Sequence, residues 1–415
     1  MIPVSGILKA KSWRKEQSEK LNTDRAAKIS VKHCQALSLL FAALIFLALS
    51  VDAHVPLMAK ENDNISQAMI ISDTAKSWAV YGSLPGGATR YFAFDIQKGE
   101  RIYLSLFKSA DRNEIDFQPE LVLIGPGLAE DRMPAGLSTL PPALSGLKAL
   151  EAERKVGGNL ASINSACINP TSTNSASINS ESFNTTSISS ASISSTSAVA
   201  TYEPFGPSSY VELAEINITA PESGRYYAAV HGNSKSFSGS GHYGLTVGYK
   251  EETSFSDRMS TPIQLISVYL WEGQSLGVIL IPYMVAEILA LLFFLRGSRR
   301  TSFCLAGMLA GFLFLAASAV VINQMVFSLI RAPFGPEVYI TVLIAFFHAL
   351  LGVAAIRLSR GEAGILQRAL LAVIGTLALL AGSGLVMGPI LSIAASFLPS
   401  KSGSIFGRSA EQAAE

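Results

Sequence analysis

The residues able to do chemistry are few and scattered. Five histidines (His33, His54, His231, His242 and His348) and three cysteines (Cys34, Cys167 and Cys304) occur in 415 residues. The cysteines stand at no metal-ligand or redox spacing, and an odd count closes no disulfide framework. No Gly-x-Ser-x-Gly elbow, His-Glu-x-x-His helix or phosphate-binding Gly-Lys loop is present. The chain is therefore read as a non-enzyme with no cofactor and no metal. His231 and His242 bracket a Gly/Ser-rich hairpin, but surface histidines beside a turn are far more often unliganded. His348 alone cannot supply the two facing histidines that a transmembrane haem needs.

Two ionisable residues stand out because of their surroundings. Glu287 and His348 each lie inside a long apolar stretch, where a charge is expensive and usually faces a bundle interior. Glu287 precedes Arg296 by nine residues and His348 precedes Arg357 by nine. At ~1.5 Å per residue both would sit about 13 Å from the same membrane edge. An intramembrane Glu287–His348 pair, acting as a polar latch or a proton-sensitive switch, is the sharpest expectation. The plainer reading has each group hydrogen-bonded to a nearby backbone carbonyl.

The elements that must hold these residues are membrane helices. Apolar stretches at about 275–295, 302–322, 338–356 and 369–390 are each long enough to span a bilayer. They predict a four-helix transmembrane bundle over 266–398, with a polar tail at 399–415. Arg296, Arg299 and Arg300 come after the first stretch, and Arg357, Arg360 and Arg368 separate the last two. By the positive-inside rule both clusters face the cytoplasm, and the loop at about 323–337 faces outward. Gly307 with Gly311, and Gly384 with Gly388, are small-xxx-small pairs that let helices approach closely. Pro282 and the Gly388-Pro389 pair predict kinks, and Tyr269 and Trp271 fall where an aromatic belt would lie. The fourth stretch runs on to about Leu398, with its end expected along the outer interface.

The region before the helices has a different period. Residues 1–53 combine a basic segment with an apolar run from Ala36 to Val51, the pattern of an export signal, cleaved or retained as an anchor. Residues 54–265 are then extracytoplasmic. Over 70–130 and 200–250, runs such as Arg101-Ile102-Tyr103-Leu104-Ser105-Leu106 alternate apolar and polar residues between glycine-rich turns. About seven short strands at this spacing predict an antiparallel β-sandwich. Residues 157–200 interrupt it with a low-complexity insertion. From Leu160 its eight consecutive five-residue units centre on Ile163, Ile168, Thr173, Ile178, Phe183, Ile188, Ile193 and Ala198. Such an insertion is read as a Ser-rich flexible loop in preference to a short β-solenoid. Asn64, Asn184 and Asn217 open N-x-S/T sequons in the segment expected outside, candidate glycosylation sites.

Three parts of this region carry a resemblance. Tyr91 to Glu100, Phe117 to Leu123, and Ser223 to Val230 continuing through Gly241 to Val247 resemble the strand-turn opening, middle strand and closing hairpin of pre-peptidase C-terminal domains of bacteria and archaea. The likeness covers about a quarter of the chain, and it implies a jelly-roll-like, non-catalytic β-sandwich that serves binding or secretion. Gly125-Pro126-Gly127 stands where that family often has an acidic turn, so a calcium site does not carry over.

Composition agrees with two solvents. Charged residues make up 15% and apolar types 49%, and the net charge is +1. A soluble domain averages about 25% charged. A near-neutral chain has no electrostatic reason to seek nucleic acid. The expectation is a multi-pass cell-membrane protein whose sandwich binds an extracellular protein, glycan or envelope partner. The helices would dock it to other membrane subunits or to a second copy. The alternative is a transport, channel or signal-transmitting component, with the sandwich gating or recruiting.

Overall fold

The computed structural model describes residues 54–60, 62–129, 147–155, 199–232, 240–297, 300–361 and 363–399. The N-terminal segment with its export signal, nearly all of the repeat insertion, Asn184 and the tail from 400 lie outside them.

Two sheets form the first half. One joins β1 (Val55–Met58), β3 (Trp78–Leu84), β12 (Gly241–Val247), β5 (Arg101–Ser109), β10 (Ser208–Thr219) and β8 (Glu153–Arg154), with β9 (Thr201–Glu203) also on β10. The other runs β2 (Met69–Ile70), β4 (Thr89–Ile96), β11 (Gly224–Gly232), β6 (Pro119–Gly125) and β7 (Lys148–Glu151). Period-two alternation decides which side of each strand is buried. Val80, Leu104, Leu106 and Leu245 of the first sheet share one core with Phe92, Phe94, Leu123 and Val230 of the second. Each such side chain contributes about 1.5–3 kcal/mol when fully buried.

Two expectations change here. The sheets are mixed, because β1 pairs in parallel with β3 and β2 in parallel with β4. The expected closing hairpin is not one: β11 pairs with β4 and β6, whereas β12 pairs with β3 and β5 in the opposite sheet. A period-two pattern names the buried face of a strand but not the sheet it joins.

Six α-helices complete the described chain. Helix α1 (Phe255–Trp271) opens on a capping box in which Ser254 and Asp257 satisfy each other's backbone N–H groups. It straddles the 265/266 boundary expected between the two regions. Helices α2 (Leu276–Arg296), α3 (Ser302–Leu329) and α4 (Val338–Arg360) are long and apolar enough to cross a membrane. At 28 residues α3 is about 42 Å long, more than the ~30 Å hydrocarbon core.

The expected fourth span is instead broken in two. Helix α5 (Ile365–Leu380) stops at a turn with positive φ at Gly382, Gly384, Leu385 and Val386, and α6 (Met387–Phe397) doubles back along it. Arg368, near the start of α5, donates to the carbonyls of Ser396 and Leu398 at 2.8 and 2.7 Å. Leu398 therefore returns to the Arg368 end of the helices and does not reach the opposite end. Gly388-Pro389 starts a helix where a kink was expected, since proline is tolerated in a first turn that has no N–H partner to lose. The hairpin tip rests on Phe314, whose ring would lie 2.8 Å from a Cβ on Gly388. Phe314 is about 18 Å along α3 from Ser302, so the tip stops part-way along that helix.

Candidate functional site

The outer face of the seven-stranded sheet rests on the helices, and this junction holds the candidate site. The residues of β5 that alternate with the core, Tyr103, Ser105 and Phe107, point away from the sandwich and line a cavity of about 270 Å³. Leu265 and Tyr269 of α1 form one wall. Ala317 and Val320 of α3, Ile344 and His348 of α4, and Ala381 and Gly382 at the hairpin tip form the floor.

The junction is fastened at both ends of α1. At its start the Lys76 ammonium donates to Asp257 at 2.5 Å. At its end Trp271, 4% exposed, donates its indole N–H to the carbonyls of Gly82 and Tyr243 at 3.1 and 3.0 Å. Its ring packs edge-on to Tyr81 and Phe107. Tyr269 is equally buried, against Ile279 and Val320. Trp271 thus ties the sheet to α1 and Tyr269 ties α1 to the next two helices, and neither is exposed as a belt residue would be.

Beside Trp271 lies a buried polar layer. Glu272, with no exposed surface, accepts the Ser209 backbone N–H at 2.6 Å. Arg331 donates to the Glu272 carbonyl at 2.9 Å and approaches Asp111 of the sheet domain at 3.9 Å. Burial pushes the Glu272 carboxyl up to about 7, against the opposing pull of the Ser209 N–H and the Arg331 charge. Gln274 and Gln324 exchange amide hydrogen bonds of 2.5 and 2.9 Å, tying the approach to α2 onto α3. The Tyr202 hydroxyl bonds to Thr341 of α4 at 2.7 Å, and Thr341 donates its own proton to the Pro204 carbonyl.

A second knot shapes the loop that carries Asp111. Lys108 is 7% exposed and its ammonium donates to the carbonyls of Glu114, Ile115 and Phe117, each at 2.8 Å. Burial lowers its pKa even though Glu114 and Asp116 favour the charge. Glu114 bonds both the backbone N–H and the ring of His242, and that bond raises the His242 pKa.

The residues singled out by sequence do not gather at this junction. Glu287 lies half-buried on α2, and His348 is buried on α4 beside the backbone of Ala381 but outside hydrogen-bonding geometry. Among the described residues no hydrogen bond or ion pair joins them: α2 packs on α3, and His348 faces the hairpin tip. The expected latch is therefore absent, because equal depth did not put the two residues on facing helices. His231 bonds Thr89 in one sheet while His242 bonds Glu114 at the other, so the two do not converge. Gly307 and Gly311 lie where α3 meets α4; a Cβ on Gly311 would fall 2.8 Å from the Gly352 carbonyl. Gly384 and Gly388 both face Phe314, Gly384 from within the turn. Asn64 and Asn217 are exposed, Asn217 accepting from Arg101 at 2.9 Å.

Sequence reasoning missed Glu203, Glu272, Lys108 and Arg331. Glu203 and Glu272 sit near element ends as ordinary surface charges would, and the docking of sheet on helix covers them, whereas Lys108 is enclosed by the carbonyls of its own loop. Comparison with protein families and with curated proteins gives no match.

Proposed function

We propose that the protein is a non-catalytic membrane-anchored component whose β-rich domain lies outside the cytoplasm and binds an envelope partner. In this reading the helices recruit a second membrane chain. The observation that carries it is the state of α2. Only 17% of its apolar window is buried, against 67% for α3 and 39% for α4. This outward helix carries Glu287, which has no partner among the described residues. An ionisable group in a span needs a polar neighbour, and an exposed helix that bears one is suited to take it from another subunit.

Sidedness is supported by charge. Arg296, Arg300, Arg357, Arg360 and Arg368 gather at one end of the helices, and the β-rich domain sits at the other. The positive-inside rule assigns the arginine end to the cytoplasm. A jelly-roll relation to pre-peptidase C-terminal domains is compatible with the two-sheet core and makes binding the expected role of that domain.

The test is purification of the full chain from its native membranes in mild detergent. A membrane protein should co-purify stoichiometrically and be lost on Glu287→Leu, with the melting temperature of the isolated chain unchanged or higher. Recovery of the same partner with Glu287→Leu would remove the basis for docking through α2.

A further inference from the structure

The cavity under the seven-stranded sheet has two unlike ends, and they point to a ligand separate from the partner on α2. Its membrane-side end is made of Ile279, Ala317, Val320, Val321, Ile344 and Phe347, with His348 the one ionisable side chain among them. Its sheet-side end carries the linked rings of Tyr81, Phe107 and Tyr210, with the Glu203 carboxylate close enough to act on both tyrosines. Phe107 and Tyr210 lie 5.1 Å apart between centroids, and Tyr81 and Phe107 5.6 Å, so the rings form one continuous aromatic surface.

Glu203 is held but has no cationic partner among the described residues. It accepts one hydrogen bond, from the Phe205 backbone N–H at 3.2 Å, and forms no ion pair among the described residues. A carboxylate has about four acceptor positions, so most of its capacity remains. Burial pushes its pKa up to about 7, with the nearby Glu251 adding to the rise. Its charge reaches the rings: after burial, it is the next cause holding the Tyr81 and Tyr210 phenols protonated. The other carboxylate on the wall, Glu212, already answers Lys155 at 2.7 Å. Arg258 is also on the wall but has contacts of its own and does not compensate Glu203.

A carboxylate lacking a counter-charge, set among aromatic faces, is the chemistry that recognises an ammonium or quaternary ammonium group. An apolar slot leading from it into the membrane helices is the chemistry that takes an alkyl chain. We propose that this cavity binds a cationic amphiphile from the membrane, its ammonium head against Glu203 and the sheet tyrosines and its chain between α1, α3 and the α5–α6 hairpin tip.

The experiment uses the full chain in a neutral maltoside detergent, with decyltrimethylammonium, tetramethylammonium and decyl sulfate as probes, read by native mass spectrometry. Decyltrimethylammonium should add once, saturably, and at least about tenfold more tightly than either of the others, the scale of one desolvated cation–π contact. Glu203→Gln should weaken that adduct about tenfold, since the probe has no N–H and loses its Coulombic attraction to the carboxylate. The variant should remain folded, since it removes a buried charge and keeps an acceptor for Phe205. Val321→Trp, which fills the apolar end, should abolish the adduct while leaving Glu203 in place. Equal binding of decyl sulfate, equal binding of tetramethylammonium, or an unchanged affinity in Glu203→Gln would each overturn the proposal. Partner recovery through α2 is a separate readout, so either idea can fail alone.

Discussion

At the scale of single residues the junction is built from groups that fit poorly in water-free surroundings. Glu272 makes the consequence measurable. Its folded pKa of about 7 exceeds the ordinary glutamate value, so the native state holds a proton that the unfolded chain has already released between roughly pH 4.5 and 7. Stability is therefore greatest below that window and falls as pH rises through it, by up to about 3 kcal/mol. Glu272→Gln should raise the melting temperature at pH 8 and leave it nearly unchanged at pH 4.5. Melting curves in mild detergent across that range check the sign. Glu203 titrates in the same region, so the variant should lose about half of the slope and not all of it. None of this was legible in the sequence, where Glu203 and Glu272 look like solvated charges near element ends. Their surroundings come from residues distant in the chain, such as Tyr81 for both and Arg331 for Glu272.

At the scale of elements, local pattern succeeded where one face alone was buried and failed where two were. In β5, Leu104 and Leu106 alternate with Tyr103 and Ser105, and the strand lies where that pattern predicts. Phe107 and Tyr210 were the unread hint: large apolar rings on the supposed water face mean that something covers it. Helix α1 was also readable, since Ser254 and Asp257 have capping-box spacing, yet its low hydropathy beside the spans hid it. Trp271 is the bolt of this layer. Trp271→Phe should keep the ring packing but strip the hydrogen bonds to Gly82 and Tyr243, costing about 1–3 kcal/mol. Trp271→Ala should cost about 3–5 kcal/mol. Limited proteolysis should then cut between Val247 and Ser254 faster in both variants, with the alanine change the more severe. Resistance equal to that of the parent chain would mean that α1 stays seated without the indole.

At the scale of the whole molecule, the three long helices were legible because a run of about 20 apolar residues has few other uses. The hairpin was not, because its apolar stretch from about 369 to 390 has the length of one crossing. The Gly382-Ser383-Gly384 sequence that breaks them reads equally well as flexible packing inside a single helix. The two readings separate on sidedness. Single cysteines at Gly361 and Pro399 should label from the same side of sealed vesicles, and one at Gly335 from the other. Opposite labelling of 361 and 399 would restore a complete fourth crossing. The hairpin also bears on how the chain is made. A segment that dips in and returns leaves its downstream sequence in the compartment where it was synthesised. With the arginine end in the cytoplasm, as proposed, a fusion joined after Pro399 would need no threading through a translocation pore, so even a bulky folded one should leave insertion of the upstream helices intact.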